Sequence, residues 1–217
     1  LNKVPFADHN AMLDPTCPDI TGRVLESLLR RGHTTDHPAI ARGIDYLLRN
    51  QEPSGSWYGR WGVDYIYGAF LAVRALAYSG SARAAESIGR ACQWLAQVQN
   101  ADGGWGESCE SYVHNRFVPA PSTPSQTAWA LIGLLAGQPE RHPETIRRGL
   151  DFLIQTQNAD GTWDEDLATG TGFPNVFYLR YTLYRNYFPL IALNMARRAL
   201  GYSGAAAFAA AARSRLP

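Results

Sequence analysis

The chain has 217 residues, with 20 Lys plus Arg against 19 Asp plus Glu and a formal net charge of +1. That length supports one large domain or two small ones, and that charge balance excludes a global attraction to nucleic acid. With 6 Trp, 11 Tyr and 8 Phe, most rings must be buried or line a cavity. The three cysteines, Cys17, Cys92 and Cys109, make no disulfide framework and fit a reducing compartment. No apolar run reaches the roughly 18 residues of a membrane span. The opening LNKVPFADHN has no signal-peptide layout and does not begin with Met. The expectation is a piece of a longer protein.

In chain order, DITGRVLESLLRRG (19–32) is expected as a helix with Asp19 as its N-cap. ARGIDYLLRNQ (41–51) is an amphipathic helix stopped by the turn EPSGSW (52–57). YIYGAFLAVRALAYSG (65–80) is apolar at helical spacing and ends on Gly80. RACQWLAQVQ (90–99) again runs into a turn, NADGGW (100–105). Residues 106–124 form a long connection rich in Gly, Pro and Ser, of the kind that often carries function. SQTAWALIGLLAG (125–137) is the next apolar helix, followed by RRGLDFLIQTQ (147–157) and the turn NADGTW (158–163). A second long connection covers 164–174, and PLIALNMARRALG (189–201) is the last helix. No alternating strand pattern is predicted. Outer and inner helices are expected to alternate, giving an all-α chain, an alpha/alpha toroid of helical hairpins, incomplete here. Residues 1–199 read as the barrel portion and 200–217 as an Ala-rich tail, either frayed or lying as an amphipathic end on a membrane.

Three of these segments are one repeat. Gln51, Gln99 and Gln157 each lie six residues before Trp57, Trp105 and Trp163. Tyr46, Trp94 and Phe152 lie five before the Gln; Arg42, Arg90 and Arg148 lie nine before it. Gly in the turn takes the positive φ that stops the helix. The Gln amide offers two donors and one acceptor. Each Gln is expected to satisfy backbone groups at the start of an adjacent helix, while its Trp staples the joint. Units of this kind cannot bury their faces alone, so they stack.

In GFPNVFYLRYTLY, Phe173, Phe177, Tyr181 and Tyr184 fall at i, i+4, i+8 and i+11. On an ideal helix they make one stripe about 80° wide, with Phe173 in the loop before it because Pro174 follows. On spacing alone such a stripe reads as core. Asp64 either pairs with Arg60 or caps the helix that follows; capping is the preferred reading.

The repeated K/R-G-x-x-aromatic, Gln, Gly-x-Trp pattern resembles the QW motif of the triterpene cyclases. GSWYGRWGVDYIYG (55–68), GGWGESCESY (103–112), PSTPSQTAWAL (121–131) and GTGFPNVFYLRYTLYRNYFP (170–189) are similar to the C-terminal third of the squalene–hopene cyclase family. The resemblance runs over roughly residues 3 to 195. It implies a monotopic enzyme on the cytoplasmic face of the bacterial cell membrane, cyclising squalene or another linear polyprene inside a dry aromatic cavity. It implies no metal and no cofactor, since σ bonds replace π bonds. Trp61, Phe173 and Phe177 match cation-stabilising positions. Tyr67, Leu179, Tyr181 and Tyr184 match positions that shape the cavity. Arg23 matches a His that, in some relatives, bonds the catalytic acid; otherwise it is a helix-surface residue. The family's Asp-x-Asp-Asp proton donor is absent. Asp164-Glu165-Asp166 is the nearest run and does not match. The implied partners are an N-terminal cyclase portion carrying that acid, without which this chain is inactive, and a second copy of the chain in a homodimer.

Two other classes compete. The toroid could be a non-catalytic module that binds an apolar ligand or a partner chain through an exposed apolar face. A zinc prenyltransferase-like subunit would use an Asp-x-Cys pair, which Glu107-Ser108-Cys109 superficially resembles. No Asp-Asp-x-x-Asp magnesium motif is present, which argues against diphosphate chemistry.

Overall fold

The computed structural model describes residues 15–199. Proline opens four of its helices: α1 (Pro18–Arg30), α2 (Pro38–Arg49), α6 (Pro124–Gly137) and α7 (Pro143–Gln155). Its missing N–H costs nothing there, and its fixed φ suits the first turn. The others are α3 (Tyr65–Ser79), α4 (Ala85–Gln97), the short α5 (Glu110–His114) and α8 (Tyr184–Ala199). Gly80 closes α3 at φ 63°, as a left-handed cap requires. The tail 200–217 lies outside the described residues.

Helices α3 and α6 bury almost their whole length, so they read as apolar all round and sit at the centre. Packing runs from α1 to α3, α3 to α6 and α6 to α8, an inner row. The amphipathic helices stand outside it: α2 backs α1, α4 backs α3 and α6, and α7 backs α6. Inner and outer helices therefore alternate, the alpha/alpha toroid arrangement.

The repeat works by hydrogen bonds at helix ends. Trp57 Nε1 donates to Leu47 O at 2.7 Å, Trp105 to Leu95 O at 2.7 Å and Trp163 to Leu153 O at 2.8 Å. Each carbonyl belongs to the last turn of the tryptophan's own helix, where the helix leaves acceptors unfilled. Gln51 Nε2 donates to Gly55 O and to Ser87 O in the first turn of α4. Gln99 does the same with Gly103 O and Thr145 O in α7. Gln157 holds its own turn through Gly161 O and makes no bond to an adjacent helix among the described residues, so the expected link forms in two of the three copies. Gly55 and Gly103 have φ of 100° and 89°, and a Cβ on either would strike the carbonyl of Arg90 or Arg148 in the next outer helix. Arg90 in turn reaches Gln51, and Arg148 reaches Asn100 O and Ala101 O.

Three expectations fail. Cys17, not Asp19, is the N-cap of α1; Asp19 is fully buried and accepts from the Trp61 N–H at 2.9 Å. Strands do occur: β1 (Gly170–Phe173) and β2 (Phe177–Leu179) form an antiparallel hairpin. Runs of four and three residues are too short for alternation to register. Phe173, Phe177, Tyr181 and Tyr184 are therefore not a helical stripe. Pro174 and Asn175, at φ 64°, turn the chain, and α8 begins only at Tyr184.

Trp105→Phe should lower the folding free energy by about 2 kcal/mol, since it leaves Leu95 O buried without its donor and removes part of a filled core site. Urea melts beside a Tyr78→Phe control, exposed at 49 %, check this; equal midpoints would refute it.

Candidate active site

The connection after Trp57 and the hairpin form one ribbon. Thr171 N donates to Trp61 O at 3.2 Å, Val63 N donates to Thr169 O at 3.0 Å, and Gly62 bridges Gly170. The strand-like segment 61–63 thus pairs with β1, and β1 with β2. The buried Tyr112 hydroxyl, from α5, sits 2.6 Å from Gly59 O, 2.8 Å from Gly62 O and 2.8 Å from Thr171 Oγ1. It stitches the two segments together.

Glycines in this ribbon are seats for rings. A Cβ on Gly62 would overlap the Tyr67 ring; one on Gly170, Tyr181; one on Gly172, Phe177. The register of β1 shifts between Thr171 and Phe173, but Gly62 bridges Gly170, Gly170 pairs with Leu179, and Leu179 lies two residues from Phe177 on β2, so these positions point to one face. The Tyr67, Tyr181 and Phe177 rings therefore share a face of the ribbon. Leu179, half-buried, pairs with Gly170.

Beyond Tyr67 lies a continuous set of rings. Tyr67 meets Trp129 at 4.8 Å and Phe70 at 5.5 Å, edge to face. Trp129 meets Tyr184 at 6.0 Å and Phe188 at 5.5 Å, and Tyr184 meets Tyr181 at 4.6 Å. Arg23 Nη2 donates to the Tyr67 hydroxyl at 2.5 Å, with its guanidinium 5.5 Å from the ring centroid. Burial pushes the Tyr67 phenol well up, and the nearby Arg23 charge offsets part of that. Burial pulls the Arg23 guanidinium down, but the Tyr67, Tyr184 and Tyr187 oxygens together outweigh it and the net direction is up. A second set holds the other candidates. Phe173 and Phe177 meet edge to face at 5.3 Å. The Arg60 guanidinium lies 4.4 Å from the Trp61 ring centroid and 5.7 Å from that of Phe173. No ring contact among the described residues joins Trp61 to the Tyr67 set; the two meet at the Gly62–Gly170 bridge.

Buried and half-buried acids hold this geometry. Glu107 accepts from the N–H groups of Asp64, Tyr65 and Ile66 at 3.0, 3.1 and 3.0 Å. It caps α3 where Asp64 was expected to. Asp64 stands at the N-cap position, but its Oδ1 takes the Gly59 N–H at 3.0 Å and its Oδ2 is buried without a hydrogen bond. Glu165 accepts from Ser125 N and Ser125 Oγ at 2.9 Å each, capping α6. Both glutamates lie two residues past a repeat tryptophan. Gln126 completes the frame, accepting from Glu107 N and donating to Glu107 O and Val63 O. Burial, then the Glu107 charge, pushes the Asp64 carboxyl well above the usual carboxylate range. Burial also raises Glu107, against three backbone donors that favour its ionised form. Glu107, held by three backbone donors, is the more readily ionised of the pair, and Asp64, with Oδ2 unbonded, the more readily protonated.

Sequence reasoning missed Glu107, Glu165, Arg60, Tyr112 and Trp129 as parts of this site. A signal existed for the first two, Trp-x-Glu in two of three repeats. Glu107 also bears on the zinc reading: both its oxygens are spent on α3, and among the described residues no group of three His, Cys, Asp or Glu could hold a metal.

The model of the squalene-hopene cyclase C-terminal domain matches residues 1–198. The chain belongs to this family. It is 47% identical over 195 residues to a squalene–hopene cyclase of Zymomonas mobilis, covering 89% of this chain and 30% of that protein. It is 46% identical over 200 residues to the squalene–hopene cyclase of Alicyclobacillus acidocaldarius, covering 92% of this chain and 32% of that one. The chain thus spans about a third of the length of these curated relatives. Among solved structures, the ent-copalyl diphosphate synthase of Streptomyces platensis superposes at a TM-score of 0.64 and 24% identity, over 84% of this chain and 34% of that one. The type II terpene cyclase MstE of Scytonema does so at 0.64 and 18%, over 85% and 55%. These two likenesses speak for the toroid fold alone.

In this squalene–hopene cyclase domain, Asp64→Asn tests the buried pair. A carboxyl whose native pKa is raised contributes stability that is complete below its unfolded pKa, about 3.9 for Asp. That stability is lost as pH rises through the native value. Urea midpoints of the parent should therefore fall, relative to Asp64→Asn, as pH rises above the unfolded value of about 3.9. Parallel profiles would contradict the protonated Asp64.

Proposed function

We propose that this chain supplies the aromatic, cation-stabilising wall of a squalene–hopene cyclase-type enzyme that cyclises squalene or a similar linear polyprene. One observation carries the reading: Tyr67, Tyr181 and Phe177 are seated on glycines of one ribbon, with Trp61 and Phe173 on its adjoining strands. Phe177 and Tyr181 remain exposed at 42 % and 39 %, which leaves ring surface for a ligand.

In this reading an acid protonates a terminal alkene, ring closures move the positive charge along the chain, and loss of a proton or capture of water ends the cascade. Carbocations need stabilisation without a nucleophile or base beside them. Ring faces provide it, each worth about 2 kcal/mol once desolvated, and about 1.4 kcal/mol is tenfold in rate. Trp61, Phe173 and Phe177 act on the cations; Tyr67, Leu179, Tyr181 and Tyr184 shape the space. Arg23 sets Tyr67 through their hydrogen bond. The acid comes from an N-terminal portion carrying Asp-x-Asp-Asp, because this chain has no such run and Glu107 and Glu165 are occupied as helix caps. The chain by itself is then inactive. The working place is the cytoplasmic face of the membrane. Exposed Leu183, Leu190 and Ile191 suit an apolar contact with one leaflet.

A second reading, a non-catalytic module binding an apolar ligand or partner chain, draws on a groove of about 680 Å³ along α1. It is lined by Ile20, Val24, Leu28, Gly43 and Trp61 among others.

Squalene turnover followed by gas chromatography separates the two. Cyclised product is expected from this chain mixed with the upstream part of a related cyclase, and none from the chain alone. In the mixture, Phe177→Ala should slow turnover about tenfold and enrich products with fewer rings. Folded protein that yields no product in the mixture would favour the binding module.

A further inference from the structure

Arg60 is buried, at 7 % exposure, beside rings assigned above to stabilising substrate cations. A cation packed there calls for an explanation, because it competes with substrate charge for the same π density. Its ζ-carbon is 4.4 Å from the Trp61 centroid and 5.7 Å from that of Phe173, and Nη1 is 3.4 Å from Gly172 O. Trp61 and Phe173 belong to strands far apart in sequence, and one planar group reaches both. The backbone of Trp61 is pinned separately, by Asp19 Oδ2 and Thr171 N. What those bonds leave loose is the rotation of the indole.

We propose that Arg60 is a positioning residue that holds the Trp61 and Phe173 rings and, by occupying one indole face, leaves only the other face to a substrate cation. The proposal rests on the cyclase reading. An indole has two electron-rich faces. On the face that carries the guanidinium, a second cation meets like charge at close range. Trp61 is half-buried and forms part of the groove wall along α1 beside Ile20 and Val24, so it is reached from that groove while Arg60 stays buried. A planar guanidinium stacks where an ammonium does not, so the role needs the plane as well as the charge.

The test uses Arg60→Lys, which keeps charge and loses the plane, and Arg60→Met, which keeps bulk and loses both. Two readouts are taken. In the full chain labelled with 5-fluorotryptophan, the Trp61 fluorine resonance is identified by its loss in Trp61→Phe. A single resonance in the parent should shift and broaden in both variants, while the resonances of Trp105 and Trp163 hold. In the mixture with the upstream cyclase part, both variants should lower kcat at least about tenfold with KM little changed, and should enrich products with fewer rings. An unmoved Trp61 resonance, or parent product ratios in Arg60→Lys, would overturn the proposal. If Arg60→Met does not fold, Arg60→Lys decides alone. If the parent mixture makes no product, the cyclase reading fails, and the fluorine spectra still settle whether Arg60 holds the ring.

Discussion

The N-termini of the inner helices hold the rest of the structure in place. An α-helix begins with N–H groups that have no partner inside the helix. Burying such an end costs heavily unless an acceptor meets it. Glu107 meets three of them at α3 and Glu165 meets one at α6. Each glutamate follows a repeat tryptophan by two residues, and each tryptophan closes the last turn of its own outer helix. One short stretch thus ends an outer helix and starts an inner one. The ribbon bearing Trp61 and the hairpin is suspended from the same points, through Gln126, Tyr112 and Asp19.

This arrangement explains why acidic groups sit so close to rings that would stabilise cations. A loose carboxylate there would quench a carbocation or take its proton. The buried carboxylates are instead committed to backbone N–H groups, and burial favours the protonated form of Asp64. Aromatic faces are then left as the electron-rich surface of the site, as the proposed cation-stabilising wall requires.

The helices were legible in the sequence because period and punctuation agreed: α3 and α6 were apolar throughout and α2, α4 and α7 ended on Gln and Gly. The tryptophan staple and the Gln51 and Gln99 links were legible because Gln and Trp recur at one fixed spacing in all three copies. The hairpin was not. Phe173, Phe177, Tyr181 and Tyr184 match a helical period by coincidence, and only the Pro174-Asn175 pair hinted at a turn. The seats at Gly62, Gly170 and Gly172 were illegible, since a glycine does not announce which ring will lie on it. Asp19 and Asp64 misled because an acid before a helix reads as a cap: at α3 an acid from a distant repeat, Glu107, takes that place, and at α1 Asp19 turns instead to the Trp61 N–H. Which residues form the site came from family resemblance; how they are held came from the structure.

Native-state hydrogen exchange of the isolated chain tests the central claim most directly, that the buried Glu107 and the half-buried Glu165 preform the site. The amides of Asp64, Tyr65, Ile66 and Ser125 should exchange only through global unfolding, with protection near that of the α3 interior. Protection at the level of frayed helix ends would mean that the caps are not formed in this chain and that the ribbon has no fixed support.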